Sequence, residues 1–275
     1  MNSNRNVPYV WGSGPIDLTP DPAMIAFDLD DTLTLTKSTV STEMAELLVK
    51  LLALRPVCII SGSRFEQFEL QVLNSLQASP RLLANLHLMP TCGTRYYRWG
   101  SGGWRQVYAE DLSEEERSAA KEVLTEAALK LGYWEPRIWG ERIEDRGSQV
   151  TFSALGQVAP PELKAKWDPS GAKKLEMREY VAERLPDLEV RSGGTTSIDI
   201  TKKGIDKAFG LRKLIETTGL QPAQLLFVGD SFAEHGNDYP AVGVGVRCIA
   251  VANHFETAEL IQYMLDSLRR GPMPS

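Results

Sequence analysis

The chain has 275 residues, of which 43% are hydrophobic, so it can bury the core of one large domain or of two smaller domains. Its net charge of −6 argues against nucleic acid or an anionic membrane surface as the main partner, although a local basic pocket could bind an anionic metabolite. No signal peptide pattern and no stretch of about 18 apolar residues occurs, which argues against a membrane span. The three cysteines are too few and too widely spaced for a disulfide framework or a closed zinc site, which predicts a cytoplasmic location.

The first part of the chain alternates buried strands with amphipathic helices, after a turn-rich and mostly irregular lead-in over residues 1–22. Met24–Phe27 predicts a strand that is buried on both faces. Ser41–Leu54 opens with a capping serine and continues with helical apolar spacing. Val57–Ile60 predicts a second strand, and the apolar positions of Phe65–Leu73 predict a second helix. This order predicts a parallel α/β sheet.

The middle of the chain has a different pattern. After a third short strand at Leu86–Pro90, residues 91–108 alternate polar and apolar side chains around four residues of glycine-rich turn, which predicts a β-hairpin. An amphipathic helix from Ser113 to Leu131 follows, and then short strands and one further helix. We therefore expect an antiparallel α+β cap domain over residues 91–200.

The parallel core is predicted to resume after the cap. A helix is expected from Lys203 to Thr217, followed by a fully apolar strand at Leu225–Val228, a last strand at Cys248–Val251 and a last helix. The expected fold class is α/β, with a parallel Rossmann-like core sheet formed by residues 1–90 and 201–275 and an inserted antiparallel α+β cap domain.

Polar side chains follow three of the predicted core strands. Asp28 and Asp30 follow the first strand, Ser61 the second and Asp230 the strand at Leu225–Val228. Because parallel strands present their carboxyl ends at one edge of the sheet, these side chains should lie close together. Carboxylates this close repel one another, so a bound cation is the simplest way to keep them ionised. For the aspartates that follow the first strand, the alternative is that they only cap the N-terminus of a helix.

A lysine at the same edge would complete a site for phosphoryl transfer. Lys207 is the favoured candidate for this lysine, and Lys203 is the alternative. Carboxylates with a bound metal can bind phosphate oxygens. A hydroxyl with adjacent backbone N–H groups and a lysine can bind the remaining phosphate oxygens, and an aspartate can attack phosphorus as a nucleophile. His235 is given no role, because a histidine in a loop is more often solvated.

These residues resemble the four motifs of the haloacid dehalogenase-like superfamily, and the insertion is similar in position and character to its type IIB cap. The matching segments are Asp28–Thr32, Ser61–Gly62, Lys207, and Gly229–Asp230 with Gly236–Asp238. Three segments resemble the eukaryotic-type phosphomannomutases in particular: Gly229–Asp238, Gly193–Asp199 and Ile143–Arg146.

The resemblance implies a role for each matching residue in the core. Asp28 would be the nucleophile that becomes an aspartyl phosphate, and Asp30 would be the general acid and base. Asp31 stands where many members have glycine. Ser61, with the backbone of Gly62, would bind the transferring phosphoryl group, and Lys207 would offset its charge. Magnesium would be held by the Asp28 side chain, the Asp30 carbonyl and Asp230, and Asp238 would be either a further ligand or a carboxylate beside the ligands.

The resemblance also implies a binding site for a sugar phosphate. The positions that bind the sugar phosphate in the mutases correspond to Lys37 and to the cap residues Arg146, Ser197 and Asp199. Lys37 stands where the mutases carry arginine. The alternative for Arg146 is a surface ion pair with the acidic residues Glu144 and Asp145. Because the mutases pair through their caps, a homodimer through the cap is also implied.

Two departures from the mutase pattern favour hydrolysis. Gln157 stands where the mutases have an arginine that binds a second phosphate. At position 37 a lysine replaces the arginine of the mutases, and a lysine cannot bind phosphate through two parallel hydrogen bonds as an arginine does. The expected activity is hydrolysis of a small phosphorylated metabolite such as a sugar phosphate. Phosphomannomutase activity is the first alternative, and a non-catalytic phosphate sensor or a receiver-like module is the alternative from another class.

Overall fold

The computed structural model describes residues 7–234 and 236–270. Its strands are β1 (Tyr9–Val10), β2 (Met24–Phe27), β3 (Val57–Ile60), β4 (Leu86–Met89), β5 (Arg95–Gly100), β6 (Gly103–Ala109), β7 (Ile143–Asp145), β8 (Gln149–Ser153), β9 (Leu188–Ser192), β10 (Ser197–Lys202), β11 (Leu225–Gly229) and β12 (Arg247–Ala250). Its α-helices are α1 (Thr42–Leu52), α2 (Phe65–Gln71), α3 (Pro80–Leu83), α4 (Glu114–Lys130), α5 (Pro161–Trp167), α6 (Ala172–Arg184), α7 (Lys207–Thr218) and α8 (His254–Arg270).

The larger sheet has the strand order β1-β12-β11-β2-β3-β4-β5-β6. The strands from β1 to β4 in this order are parallel to their neighbours, and β5 and β6 are antiparallel. Phe27 at the end of β2 is paired with Ile59 of β3 on one side and Val228 of β11 on the other. The polar residues that follow these three strands are therefore neighbours, and the predicted α/β fold with its parallel core sheet is confirmed.

Local capping residues place the core helices. The Ser41 side chain accepts a hydrogen bond from the backbone N of Met44, 3.1 Å away, at the start of α1. The Asp206 side chain accepts one from the backbone N of Phe209, 2.8 Å away, at the start of α7. Because Asp206 is the N-cap, α7 begins at Lys207 and not at Lys203 as we predicted from the apolar spacing.

A separate antiparallel sheet has the strand order β7-β8-β10-β9. Apolar residues of this sheet form a core of their own with apolar residues of α4 and α6, among them Leu124, Phe152, Val181 and Ile198. This unit has the antiparallel α+β character that the sequence predicts for the cap.

Contacts divide the chain at boundaries that differ from the predicted ones. One unit comprises the described residues up to Ala109 and from Asp206 onward, and the other comprises Glu110–Ile205. The hairpin of β5 and β6, which we expected to open the cap, extends the larger sheet because β5 pairs with β4. The cap unit therefore begins about twenty residues later than residue 91 and ends at residue 205 instead of 200.

Two further elements differ from the sequence prediction. The predicted irregular lead-in contains β1, in which Tyr9 pairs with Ile249 of β12; residues 1–6 of the lead-in lie outside the described residues. After α4 the cap unit contains two α-helices where we predicted one, and the first of them, α5, begins at Pro161. Proline is tolerated in the first helical turn, where its missing N–H would have no helical partner. No helix in residues 7–234 or 236–270 is long and apolar enough to cross a membrane.

A buried histidine on β4 gives a first testable prediction. His87 is 3% exposed, and its Nδ1 lies 2.7 Å from the hydroxyl of Tyr96, which in turn accepts a hydrogen bond from Arg98. Burial and the nearby Arg98 guanidinium lower the pKa of His87 to about 3. The unfolded chain, in which histidine has a pKa of about 6.5, therefore binds a proton that the folded chain does not.

The free energy of unfolding should fall as the pH decreases from about 6.5 to about 3, by about 1.4 kcal/mol for each pH unit from His87 alone. Urea unfolding at pH 7 and at pH 4.5 measures this loss. His87→Gln should lose less stability between the two pH values than the wild type. Equal losses in the wild type and in His87→Gln would contradict the prediction.

Candidate active site

The site lies where β2, β3 and β11 end in the larger sheet. Asp28 directly follows β2 and is 2% exposed, and its backbone N donates to the carbonyl of Val228, 2.9 Å away. Ser61 directly follows β3 and is 3% exposed. Asp230 directly follows β11. The parallel register thus brings together three groups of which the first and last are about two hundred residues apart in the sequence.

Lys207 is buried among acidic side chains. Its Nζ lies 2.6 Å from Oδ1 of Asp28 and also pairs with Oδ1 of Asp238. Burial alone would lower the pKa of Lys207, but the carboxylates of Asp28 and Asp238 outweigh this effect and raise it, so the ammonium is charged. Lys203 is exposed. Of the two predicted candidates, Lys207 is the lysine that contacts Asp28.

Three carboxylates form a cluster beside this lysine. Oxygens of Asp28, Asp230 and Asp238 lie within 4.8 Å of one another. Burial raises the pKa of Asp28 to about 7 against the opposing effect of Lys207, and burial also raises the pKa of Asp230. Magnesium prefers such oxygen ligands, and its charge would favour the ionised carboxylates. The donor set therefore fits a divalent cation.

The end of β11 holds Asp238 against the sheet. Oδ2 of Asp238 accepts a hydrogen bond from the backbone N of Ser231, 2.9 Å away, and its backbone N donates to the carbonyl of the same residue at 3.1 Å. A Cβ at Gly229 would overlap the Asp238 carboxylate. The glycine in this motif thus allows a fully buried carboxylate to reach the lysine and the end of β2.

Asp30 has a different environment from Asp28. Its Oδ1 accepts hydrogen bonds from the backbone N of Lys37 at 2.8 Å and from Nε2 of Gln71 at 3.0 Å, and its Oδ2 lies 3.4 Å from Oγ of Ser63. The side chain of Lys37 is exposed. Asp28 and Asp30 therefore have separate partners, as two carboxylates with separate roles require.

Asp31 does not belong to the acidic cluster. Its φ angle is 63°, a left-handed conformation that aspartate tolerates better than most residues. Its carboxylate accepts hydrogen bonds from the backbone and hydroxyl of Thr36 at 3.1 and 2.7 Å. Asp31 thus stabilises the loop that follows β2.

The loop after β3 presents polar groups at the same edge. Oγ of Ser61 accepts a hydrogen bond from the backbone N of Ser63, 3.2 Å away. Gly62 lies between these two serines, and α2 starts at Phe65. A hydroxyl and a turn of backbone N–H groups at the start of a helix are suited to bind phosphate oxygens.

The cap unit contains the remaining predicted residues. Nε and Nη2 of Arg146 both donate to Oε2 of Glu144, at 2.9 and 2.6 Å, so the ion pair that the sequence left open is formed. Oδ1 of Asp199 accepts a hydrogen bond from Thr151 at 2.7 Å. Burial raises the pKa of Asp199, and Arg146 opposes this effect. Ser197 is half-buried at the start of β10, two residues before Asp199.

Sequence reasoning missed two polar residues of the core site. Thr32 belongs to the first motif, and its hydroxyl donates to Oδ1 of Asp230 at 2.9 Å. Gln71 lies between Phe68 and Val72 on the buried face of α2, and a polar residue on an apolar helical face was the available signal. His235, to which we assigned no role, lies outside the described residues.

Comparison with known proteins finds similar sequences in one superfamily. A family model described as haloacid dehalogenase-like hydrolase matches residues 165–260. The phosphomannomutase of Saccharomyces cerevisiae is 26% identical over 225 residues, which cover 78% of this chain and 83% of the yeast protein. The chain is thus similar to haloacid dehalogenase-like hydrolases over residues 165–260 and to phosphomannomutases over most of its length. These similarities support an enzyme of the haloacid dehalogenase-like superfamily, and they do not support the receiver-like alternative.

Solved structures share the fold. A haloacid dehalogenase-like hydrolase from Bacteroides thetaiotaomicron has a TM-score of 0.63 at 18% identity, covering 88% of this chain and 99% of that chain. The IMP-bound IMP-nucleotidase of Plasmodium falciparum has a TM-score of 0.65 at 13% identity, covering 90% of this chain and 69% of that chain.

Proposed function

We propose that this haloacid dehalogenase-like enzyme hydrolyses a small phosphate ester, most simply a sugar phosphate, through an aspartyl phosphate on Asp28. One observation carries the proposal: the buried Asp28 carboxylate contacts Lys207 and lies beside Asp230 and Asp238. A carboxylate in this position can attack phosphorus, because the lysine and a metal offset the negative charge of the approaching ester.

Two residues would carry out the bond changes. In the first step a carboxylate oxygen of Asp28 attacks phosphorus, the bond to the leaving oxygen breaks, and protonated Asp30 gives its proton to that oxygen. In the second step water attacks the same phosphorus, Asp30 takes the proton of the water, and Asp28 leaves as a free carboxylate with inorganic phosphate. Ser61 and the N–H groups after it would orient the phosphoryl group throughout.

Magnesium is the proposed cofactor. Asp28, Asp230 and Asp238 would hold it, together with the carbonyl of Asp30 that the resemblance implies. A bound divalent cation offsets the charge of the phosphoryl oxygens during transfer. Thr32 would orient the Asp230 carboxylate through its hydrogen bond.

Mutase activity is the second candidate, and one contact in the cap unit favours it. Nζ of Lys164 donates to the backbone carbonyl of Gln157 at 2.9 Å. A cation therefore lies beside the position where the mutases have an arginine for a second phosphate. We still favour hydrolysis, because an ammonium held by a backbone carbonyl lacks the forked hydrogen bonding of a guanidinium.

The two activities predict different products from mannose 1-phosphate. With magnesium and a trace of hexose 1,6-bisphosphate, we expect free phosphate to form at least about tenfold faster than mannose 6-phosphate, since about 1.4 kcal/mol of lost second-site binding is worth tenfold in partition. Coupled assays for phosphate and for mannose 6-phosphate measure the ratio. Faster formation of mannose 6-phosphate would establish the mutase and overturn the proposed hydrolysis.

Three features stay predictions from the resemblance. They are sugar phosphate binding by Lys37, Arg146, Ser197 and Asp199, a homodimer through the cap, and the cytoplasmic location.

A further inference from the structure

A buried glutamine at the end of α2 contacts the carboxylate that we propose as the general acid and base. Gln71 is 1% exposed, and its Nε2 donates to Oδ1 of Asp30 at 3.0 Å. Its backbone carbonyl accepts a hydrogen bond from the N of Val40 at 2.7 Å. Gln71 thus contacts both ends of the loop between β2 and α1 through different atoms.

The hydrogen bonds at Asp30 distinguish its two carboxylate oxygens. Oδ1 accepts from Gln71 and from the backbone N of Lys37, so the two in-plane lone pairs of this oxygen both have donors. Oδ2 lies 3.4 Å from Oγ of Ser63, in the loop that follows Ser61. A proton on Asp30 would therefore reside on Oδ2, on the side of the proposed phosphate-binding loop.

Stability alone does not account for an amide at this position. Oε1 of Gln71 is buried and has no hydrogen-bond partner among the residues that the structure describes. An unsatisfied buried acceptor costs about 1–3 kcal/mol, and an apolar side chain between Phe68 and Val72 would avoid this cost. Among the residues that the structure describes, the hydrogen bond of the Gln71 amide group is with the Asp30 carboxylate.

We propose that Gln71 is the positioning residue of the general acid and base, which orients Asp30 so that Oδ2 exchanges the proton with the leaving group and with water. This inference rests on the proposed function, because it assigns a role to a neighbour of Asp30. Gln71 does not touch the reacting atoms and acts only through the Asp30 carboxylate.

The leaving group provides a readout that a merely structural role would not change. The value of kcat/KM reports the steps up to the first irreversible one, here the phosphorylation of Asp28. An alkyl phosphate such as mannose 6-phosphate needs a proton on its departing oxygen, whereas 4-nitrophenyl phosphate releases a stable phenolate and needs little help. Loss of proton transfer therefore lowers kcat/KM selectively for the alkyl phosphate.

We expect Gln71→Met to lower kcat/KM for mannose 6-phosphate by about 10–100-fold and for 4-nitrophenyl phosphate by less than about threefold, since general acid catalysis is worth about two to four orders of magnitude. Both substrates are assayed on the same preparation, so the ratio is independent of the folded fraction. Gln262→Met is the matched control, because Gln262 is an exposed glutamine that donates to Asp266 at 3.2 Å on α8. It should leave both values unchanged.

A double variant separates this inference from the proposed function. In an Asp30→Asn background, Gln71→Met should cause no further change in the ratio of the two kcat/KM values, because the residue acts through Asp30. Equal losses on both substrates in Gln71→Met, or an unchanged ratio, would overturn the positioning role while the hydrolysis stands. If the wild type hydrolyses neither substrate, the proposed function fails and this inference fails with it.

Discussion

The Asp28→Asn variant is expected to fold normally and to lose at least about four orders of magnitude in phosphate release, as the removal of a catalytic nucleophile does in other enzymes. An amide oxygen cannot form an acyl phosphate, but it can still accept a hydrogen bond from Lys207. Lys207 also keeps its ion pair with Asp238, so the buried ammonium retains a counter-charge. Phosphate release with magnesium measures the activity, and urea unfolding measures the fold.

Acid-quenched labelling identifies the residue that carries the phosphoryl group. After incubation with a labelled aryl phosphate, Asp30→Asn should retain label on the protein, because capture proceeds while hydrolysis lacks its base. Asp28→Asn should retain none. Asp187→Asn, a change at an exposed position, is the control and should match the wild type. Turnover in a folded Asp28→Asn variant would exclude Asp28 as the nucleophile.

Lys207→Met should abolish activity and also destabilise the fold. The substitution removes the ammonium between the buried carboxylates of Asp28 and Asp238. Removing one partner of a buried ion pair typically costs about 3–5 kcal/mol, because the remaining charge is left without compensation. Urea unfolding in EDTA should show a loss of this size. Since the cluster of Asp28, Asp230 and Asp238 would then be more negative, magnesium should stabilise the variant more than the wild type.

Lys203→Met is the matched control for this experiment. Lys203 is an exposed lysine four residues before Lys207. A substitution at an exposed position should change the free energy of unfolding by no more than about 0.5 kcal/mol and leave turnover intact. If Lys203→Met abolished turnover and Lys207→Met did not, the lysine assignment would be reversed.

The parallel core and most of the residues that meet at its edge could be predicted from the sequence. Each of these residues directly follows an apolar strand or opens a helix, as Asp28, Ser61, Asp230 and Lys207 do. Buried parallel strands are recognisable from local composition, and their carboxyl ends must share an edge. A short local signal was therefore sufficient for this part of the site.

The pairing of polar groups across the fold could not be predicted in the same way. The contact of Gln71 with Asp30 joins residues forty-one positions apart, and no local pattern specifies it. The choice of Glu144 over Asp145 as the partner of Arg146 likewise depends on side-chain geometry, because both acids are adjacent in sequence. The β5–β6 hairpin has the same alternating pattern whichever sheet it joins, and its pairing with β4 placed it in the core. Strand pairing and side-chain contacts of this kind depend on residues that the fold brings together, so they were decided by the packed structure.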